Sequence, residues 1–205
     1  MDDKLPSPVE TALQDLRSTA ATLERTDSPS DTRQLFSAFL NNSQSLTDYM
    51  RKEYKHVTGR DWLPGSWMGW NAVTDLVKRL RNHGQHESPI LLLARVRYFY
   101  SITPTADSQQ LVIQGDWARL DPQDTAVPDS LTLHRADPKT GAMTEQTITP
   151  CKREFQLIPF ADDPEVNAQL DNIHDKDVRA IAKSTLAVLE EYVAWYTQQL
   201  AEHHL

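Results

Sequence analysis

Residues 92–102 read Leu-Leu-Ala-Arg-Val-Arg-Tyr-Phe-Tyr-Ser-Ile, and here the hydrophobic period changes from helical to extended. Ala94, Val96, Tyr98, Tyr100 and Ile102 fall on one side of a strand, with Arg95 and Arg97 on the other. That two-residue alternation is the mark of a half-buried sheet. Further short strand candidates lie at 111–113, 131–134 and 155–158, and Asp137-Pro138-Lys139-Thr140-Gly141 reads as a turn between two of them. The expectation for this stretch is an antiparallel meander of roughly three to five strands.

On either side the period is helical. Ser7-Pro8-Val9-Glu10 announces a first helix: serine caps, proline suits the first turn, and the glutamate reaches back to the cap amide. Val9, Leu13, Leu16 and Leu23 give it an apolar side, and Ser28-Pro29 marks a break and a new start. From Asp31 a second helix carries Leu35, Phe36, Phe39, Leu40, Leu46 and Met50 at spacings of three and four, with Arg51, Lys52 and Glu53 expected to face water. After Leu63-Pro64-Gly65 a third helix is expected to begin between Trp67 and Asn71 and to bury Val73, Leu76, Val77 and Leu80. Gly84 weakens its end and Pro89 limits it, so His83 and His86 fall in its last turn or just past it. A long amphipathic helix from about Asp177 uses Val178, Ile181, Leu189, Tyr192, Tyr196 and Leu200. The fold class expected is α+β. It is one domain over 1–205: a helical bundle at 8–88, a β insertion at 91–160, and a closing helix at 177–202.

Composition bounds what this domain does. Of 205 residues, 39% are hydrophobic and 24% charged, enough apolar side chains to build a core. No run approaches the ~18 apolar residues of a membrane span, and the opening Met-Asp-Asp-Lys-Leu-Pro-Ser-Pro lacks the layout of a signal peptide. A cytoplasmic protein without membrane association is expected. The single cysteine, Cys151, allows no internal disulfide and fits a reducing compartment. The formal charge of −8 argues against coating nucleic acid by bulk electrostatics, but leaves room for a small basic site.

That basic site is Lys78-Arg79-Leu80-Arg81, followed by Asn82-His83-Gly84-Gln85-His86. Arginine binds phosphate through a planar fork of donors, and histidine moves protons near neutral pH without a metal. Asn82 and His86 stand four apart, on one side of an ideal helix. A solvated helix end, where the dipole favours cations, is the plain alternative.

Arg81-Asn82-His83-Gly84-Gln85-His86 resembles the R-N-x-x-x-H signature of HEPN domains, the helical domains of prokaryotic ribonuclease toxins and defence proteins. Leu35-Phe36-Ser37-Ala38-Phe39-Leu40, continuing to Ser45-Leu46-Thr47-Asp48-Tyr49, is similar to the helix preceding that motif, and Gln85-His86 followed shortly by Pro89-Ile90 also resembles the family pattern. The resemblance covers roughly residues 8–90 and the final helix; the sheet lies outside the family pattern. It implies a metal-independent, cofactor-free endoribonuclease of toxin or phage-defence type, acting as a homodimer with a composite site. Arg81 would hold the scissile phosphate, Asn82 would orient the phosphate or the histidine, and His86 would transfer protons. Lys78, Arg79 and His83 are candidate substrate-binding residues beside them. The partners implied are a second copy, RNA, and an antitoxin or other protein. Because many members of the family are non-catalytic, a binding or scaffold role for RNA, a nucleotide or a protein stays open.

Other features carry less. His83, His86 and Glu87 lack the HExxH metal spacing. Trp62, Trp67 and Trp70 offer stacking surfaces, although aromatics beside a Pro-Gly turn more often pack a core or an interface. Arg95 and Arg97 either extend an anion surface or face water. Cys151 has no histidine partner in view, and the terminal His203-His204-Leu205 is too short to capture a metal.

Overall fold

Ser7 caps the first helix, α1 (Pro8–Arg25), through a reciprocal pair: Glu10 N–H donates to Ser7 Oγ at 3.2 Å, and Ser7 N–H to Glu10 Oε2 at 2.7 Å. Ser28 caps α2 (Pro29–Thr58) with its hydroxyl alone, which accepts from Asp31 N–H at 3.3 Å, so this helix starts two residues before the expected Asp31. Gly59, at φ +69°, closes α2 in the left-handed conformation, its N–H donating to Lys55 O at 3.0 Å. α3 (Ala72–His86), by contrast, starts later than expected. Asn71 Oδ1 accepts from the N–H groups of Val73 and Thr74, which makes Asn71 the cap and leaves Trp67 and Trp70 in the preceding loop.

The computed structural model describes residues 6–86, 91–102, 111–119, 131–136, 140–160 and 163–202, without the side chains of 64, 83–86, 111, 131, 133 and 135. The order continues with β1 (Leu91–Ile102), β2 (Leu111–Gln114), β3 (Ala118–Arg119), β4 (Leu131–Ala136), β5 (Met143–Ile148) and β6 (Pro150–Phe160). Two helices close it, α4 (Pro164–Asp171) and α5 (Val178–Glu202). The class is α+β, with the strands before the C-terminal helix, as the change of period predicts. The chain forms two compact units, residues 1–92 with 157–205, and residues 93–156. Among the described residues no helix is long and apolar enough to cross a membrane.

In the helical unit α5 packs against α1, α2 and α3. Leu16 and Leu23 of α1, Phe36 and Phe39 of α2, Leu76 and Leu80 of α3, and Ile181 of α5 are fully buried. Trp62 fills the space between α2 and α5. Its ring centroid lies 4.8 Å from Tyr54 and 5.0 Å from both Trp195 and Tyr196, and its indole N–H donates to Tyr192 Oη. Trp67 and Trp70 pack edge-on to each other and against Tyr192. All three tryptophans therefore contribute to packing. α4 has no counterpart in the sequence reading; Asp163 caps it and Pro164 takes its first turn.

The sheet unit departs from a single meander. β1 is central to a four-stranded sheet, antiparallel to β2 with Phe99 opposite Gln114, antiparallel to β3 with Val96 opposite Ala118, and paired also with β6. β4 and β5 form a separate antiparallel pair, Leu131 opposite Ile148 through Ala136 opposite Met143. Of the turn joining them, residues 137–139 lie outside the described residues, and Gly141 adopts φ +69°. Val96 and Tyr100 are buried and Arg95 is exposed, as alternation requires. Arg97 does not face open water: it pairs with Glu154 at 2.7 Å and lies 4.5 Å over the Trp117 ring. Cys151 is exposed on β6, its thiol donating to Phe99 O.

Asp177 fastens the return from β6 into α5. One carboxylate oxygen accepts from Leu157 N–H at 3.2 Å and the other from Arg179 N–H at 2.8 Å. Burial raises its pKa, against the pull of those backbone donors and Arg179. The folded chain thus holds this proton more tightly than the unfolded one, so Asp177 contributes stability that falls as pH rises from the unfolded carboxyl value, ~3.9, through the raised folded value. In urea titrations from about pH 4 to 8 the wild-type advantage over Asp177→Asn is expected to shrink as pH rises; a constant difference would mean that folding leaves the Asp177 pKa unchanged, and a growing one that folding lowers it.

Candidate functional site

Three helical stripes converge on one cavity of about 370 Å³ in the helical unit. From α2 come Ser43, Gln44, Thr47 and Arg51, which share a face because residues three and four apart are neighbours on a helix. By the same spacing α3 supplies Thr74, Val77, Lys78 and Arg81, and α5 supplies Thr185, Leu189 and Tyr192. Gly65, Trp70 and Asp75 complete the wall. Ser43, Thr74, Val77, Thr185, Leu189 and Tyr192 are buried, while Arg51, Asp75 and Lys78 are exposed and Arg81 and Trp70 are half-buried. The result is a largely apolar floor with charges at the rim, the layout of a small-ligand pocket.

The rim carries three cations, Arg51, Lys78 and Arg81, against Asp75 in the lining and Asp48 beside it. Arg51 reaches Asp48 at 3.3 Å, and that carboxylate also accepts from Gln44 Nε2 at 2.7 Å. The Arg81 guanidinium donates through Nε, at 3.1 Å, and through Nη2 to the Asn82 side-chain oxygen. Burial is the main influence lowering the Arg81 pKa; Asp48 opposes it and Arg51 adds to it. Arg81 and Arg51 therefore sit within each other's field, with Asp48 as partial compensation. On the floor, Ser43 Oγ donates to Leu40 O at 2.7 Å and Thr185 Oγ1 to Ile181 O at 2.8 Å, while Thr47 Oγ1 donates to Gln44 O at 2.9 Å. With their protons directed to the helix backbone, these hydroxyls offer lone pairs to the cavity.

No protein-family model matches the chain, and no curated protein or solved structure does either. The site is described by its own geometry. Arg81 and Lys78 of the expected set line the cavity, and Asn82 is exposed beside it, bonded to Arg81. Arg79 does not join them. It follows Lys78 around the helix, leaves the cavity face and pairs with Glu165 of α4. α3 runs through His83 and His86, whose side chains, like residues 87–90, lie outside the described residues. Among the described residues no three His, Cys, Asp or Glu side chains group to hold a metal.

Arg51 and Tyr192 are members that sequence reasoning did not place at a site, while Trp70, weighed there as a stacking surface against packing, lines the cavity and also packs against Trp67 and Tyr192. Of Arg51-Lys52-Glu53, expected to face water, Arg51 and Lys52 are exposed, Arg51 at the cavity rim, and the expectation is corrected at Glu53, which is half-buried and accepts from Tyr196 Oη at 2.8 Å. The available signal was the polar spacing Gln44-Thr47-Asp48-Arg51, a second stripe on a helix read mainly for its apolar one.

A cation held half-buried beside another cation serves binding more than folding. Arg81→Met is expected to leave stability within about 1 kcal/mol of wild type or to raise it. A loss above about 2 kcal/mol in urea melts would instead make Arg81 a structural staple.

Proposed function

We propose that the chain is a metal-independent endoribonuclease of HEPN type, acting as a homodimer in a toxin or defence setting. The observation that supports this reading is the placement of Arg81: its guanidinium is oriented by Asn82 and borders a cation-rimmed cavity, five residues before His86 on the same helix.

In this reading Arg81 binds the scissile phosphate and stabilises charge on the pentacoordinate transition state. His86 of one copy accepts the proton of the ribose 2′-hydroxyl. The 2′-oxygen bonds to phosphorus, the bond from phosphorus to the 5′-oxygen breaks, and His86 of the second copy protonates the departing oxygen. The products are a 2′,3′-cyclic phosphate and a 5′-hydroxyl. Two symmetry-related imidazoles, one neutral and one protonated, provide base and acid at the same pH.

Purified protein is expected to cleave single-stranded RNA in the presence of EDTA and to behave as a dimer in light scattering at micromolar concentration. His86→Ala and Arg81→Ala should each lower the rate by on the order of 10²–10⁴ while the helices stay folded. His83→Ala should have a much smaller effect, because it occupies a variable position of the motif. A folded dimer that leaves a range of RNAs intact would replace catalysis with the binding role. Equal losses at positions 83 and 86 would move proton transfer away from His86.

A further inference from the structure

The cavity extends beyond Arg81, and its lining has a chemistry that phosphate binding alone does not require. Arg51 and Lys78 join Arg81 at the rim, on the neighbouring helix and one turn earlier on the same helix. Trp70 stands half-exposed in the wall, braced by Trp67 at 4.8 Å and Tyr192 at 4.5 Å. Those contacts fix the ring before any ligand arrives, and a fixed aromatic face stacks a nucleobase at little entropic cost. Ser43, Thr47 and Thr185 present hydroxyl lone pairs to any amino group reaching the floor. A volume of about 370 Å³ lies at the small end of the ligand-pocket range, suited to one nucleotide rather than to several.

We propose that this cavity is a nucleoside-monophosphate subsite within a single protomer, with the base against Trp70 and the phosphate met by Arg51, Lys78 and Arg81. The proposal goes beyond the nuclease reading, since occupancy is measurable without cleavage. It casts Arg51 and Lys78 as binding residues, distinct from the proton-transfer role given to His86. Asp75 in the lining and Asp48, paired with Arg51 at 3.3 Å, reduce the rim's charge without cancelling it, two carboxylates against three cations.

Calorimetric titration of the intact protein with adenosine 3′-monophosphate, adenosine and inorganic phosphate tests this assignment. The nucleotide is expected to bind at least about tenfold more tightly than either half, because base and phosphate are held together. Lys78→Ala and Arg51→Ala should each weaken nucleotide binding roughly three- to tenfold and leave adenosine unchanged, with affinity falling as salt rises. Trp70 also packs against neighbours, so its role is read in the wild-type protein: its indole N–H resonance, assigned with Trp70→Phe, should shift with the nucleotide and with adenosine but not with phosphate. An unmoved indole, or a nucleotide bound no more tightly than phosphate, overturns the subsite even where RNA is cleaved. Binding as described in a protein that cleaves no RNA upholds the subsite and removes the nuclease reading. A 2′-O-methyl trinucleotide that binds more tightly than the mononucleotide makes the occupant part of an RNA chain; equal affinity makes it a free nucleotide, and either result upholds the pocket.

Discussion

The hydrogen bond from the Trp62 indole to the Tyr192 phenol ties the loop after α2 to the last helix. Both partners are buried, so an unpaired indole N–H would carry its full desolvation cost, of order 1–3 kcal/mol. Around this bond Tyr54, Trp195 and Tyr196 close on Trp62, and Trp67 and Trp70 close on Tyr192. Tyr192 is also floor to the cavity, and Trp70 is its wall. The same contacts thus hold the bundle shut and shape the recess bordered by Arg81. Since α5 lies beyond the strands in sequence, the site is incomplete until the chain returns from the sheet unit. The closing contacts are far apart along the chain: Arg17 of α1 pairs with Glu190 of α5. Such separations slow folding, because loop entropy is lost before the contacts form.

Local chemistry was legible where residues a few positions apart settle the outcome. The Ser7–Glu10 box, the Ser28-Pro29 start and the alternation from Ala94 to Ile102 each define an element without reference to anything distant. Pairing between strands was less legible, since alternation gives the buried face but not the neighbour. The Asp137–Gly141 turn marks a link between the runs on either side of it, but nothing there indicates that β4 and β5 form a pair of their own and leave β1 to β2, β3 and β6. α4 is eight residues long, and its Asp163-Pro164 cap directly follows a strand, too little periodic sequence to stand out.

The candidate site divides along the same line. Lys78 and Arg81 were readable from one helix, but residues adjacent in sequence do not share a helical face. Arg79 therefore pairs with Glu165, while the residues on either side of the Arg79-Leu80 step reach the cavity. Arg51 and Tyr192 join only because two other helices present their own stripes to the same space. Spacing defines each stripe; which stripes meet is a property of the tertiary packing.

An acidic body with a cationic recess has consequences for what such a pocket admits. With a formal charge of −8, the chain repels a polyanion at long range, but in physiological salt that repulsion is screened over about 8 Å. Inside the recess the low-dielectric floor strengthens the rim cations relative to the screened exterior. On the proposed assignment a nucleotide gains its full affinity only when its phosphate meets that rim while its base enters the recess. Duplex nucleic acid keeps its bases stacked and paired, and extruding one costs a few kcal/mol. A recess of about 370 Å³ therefore favours a nucleotide that is already unpaired. On the proposed assignment, specificity for single strands would come from the depth of one pocket, with the net negative charge of the chain suppressing non-specific adhesion.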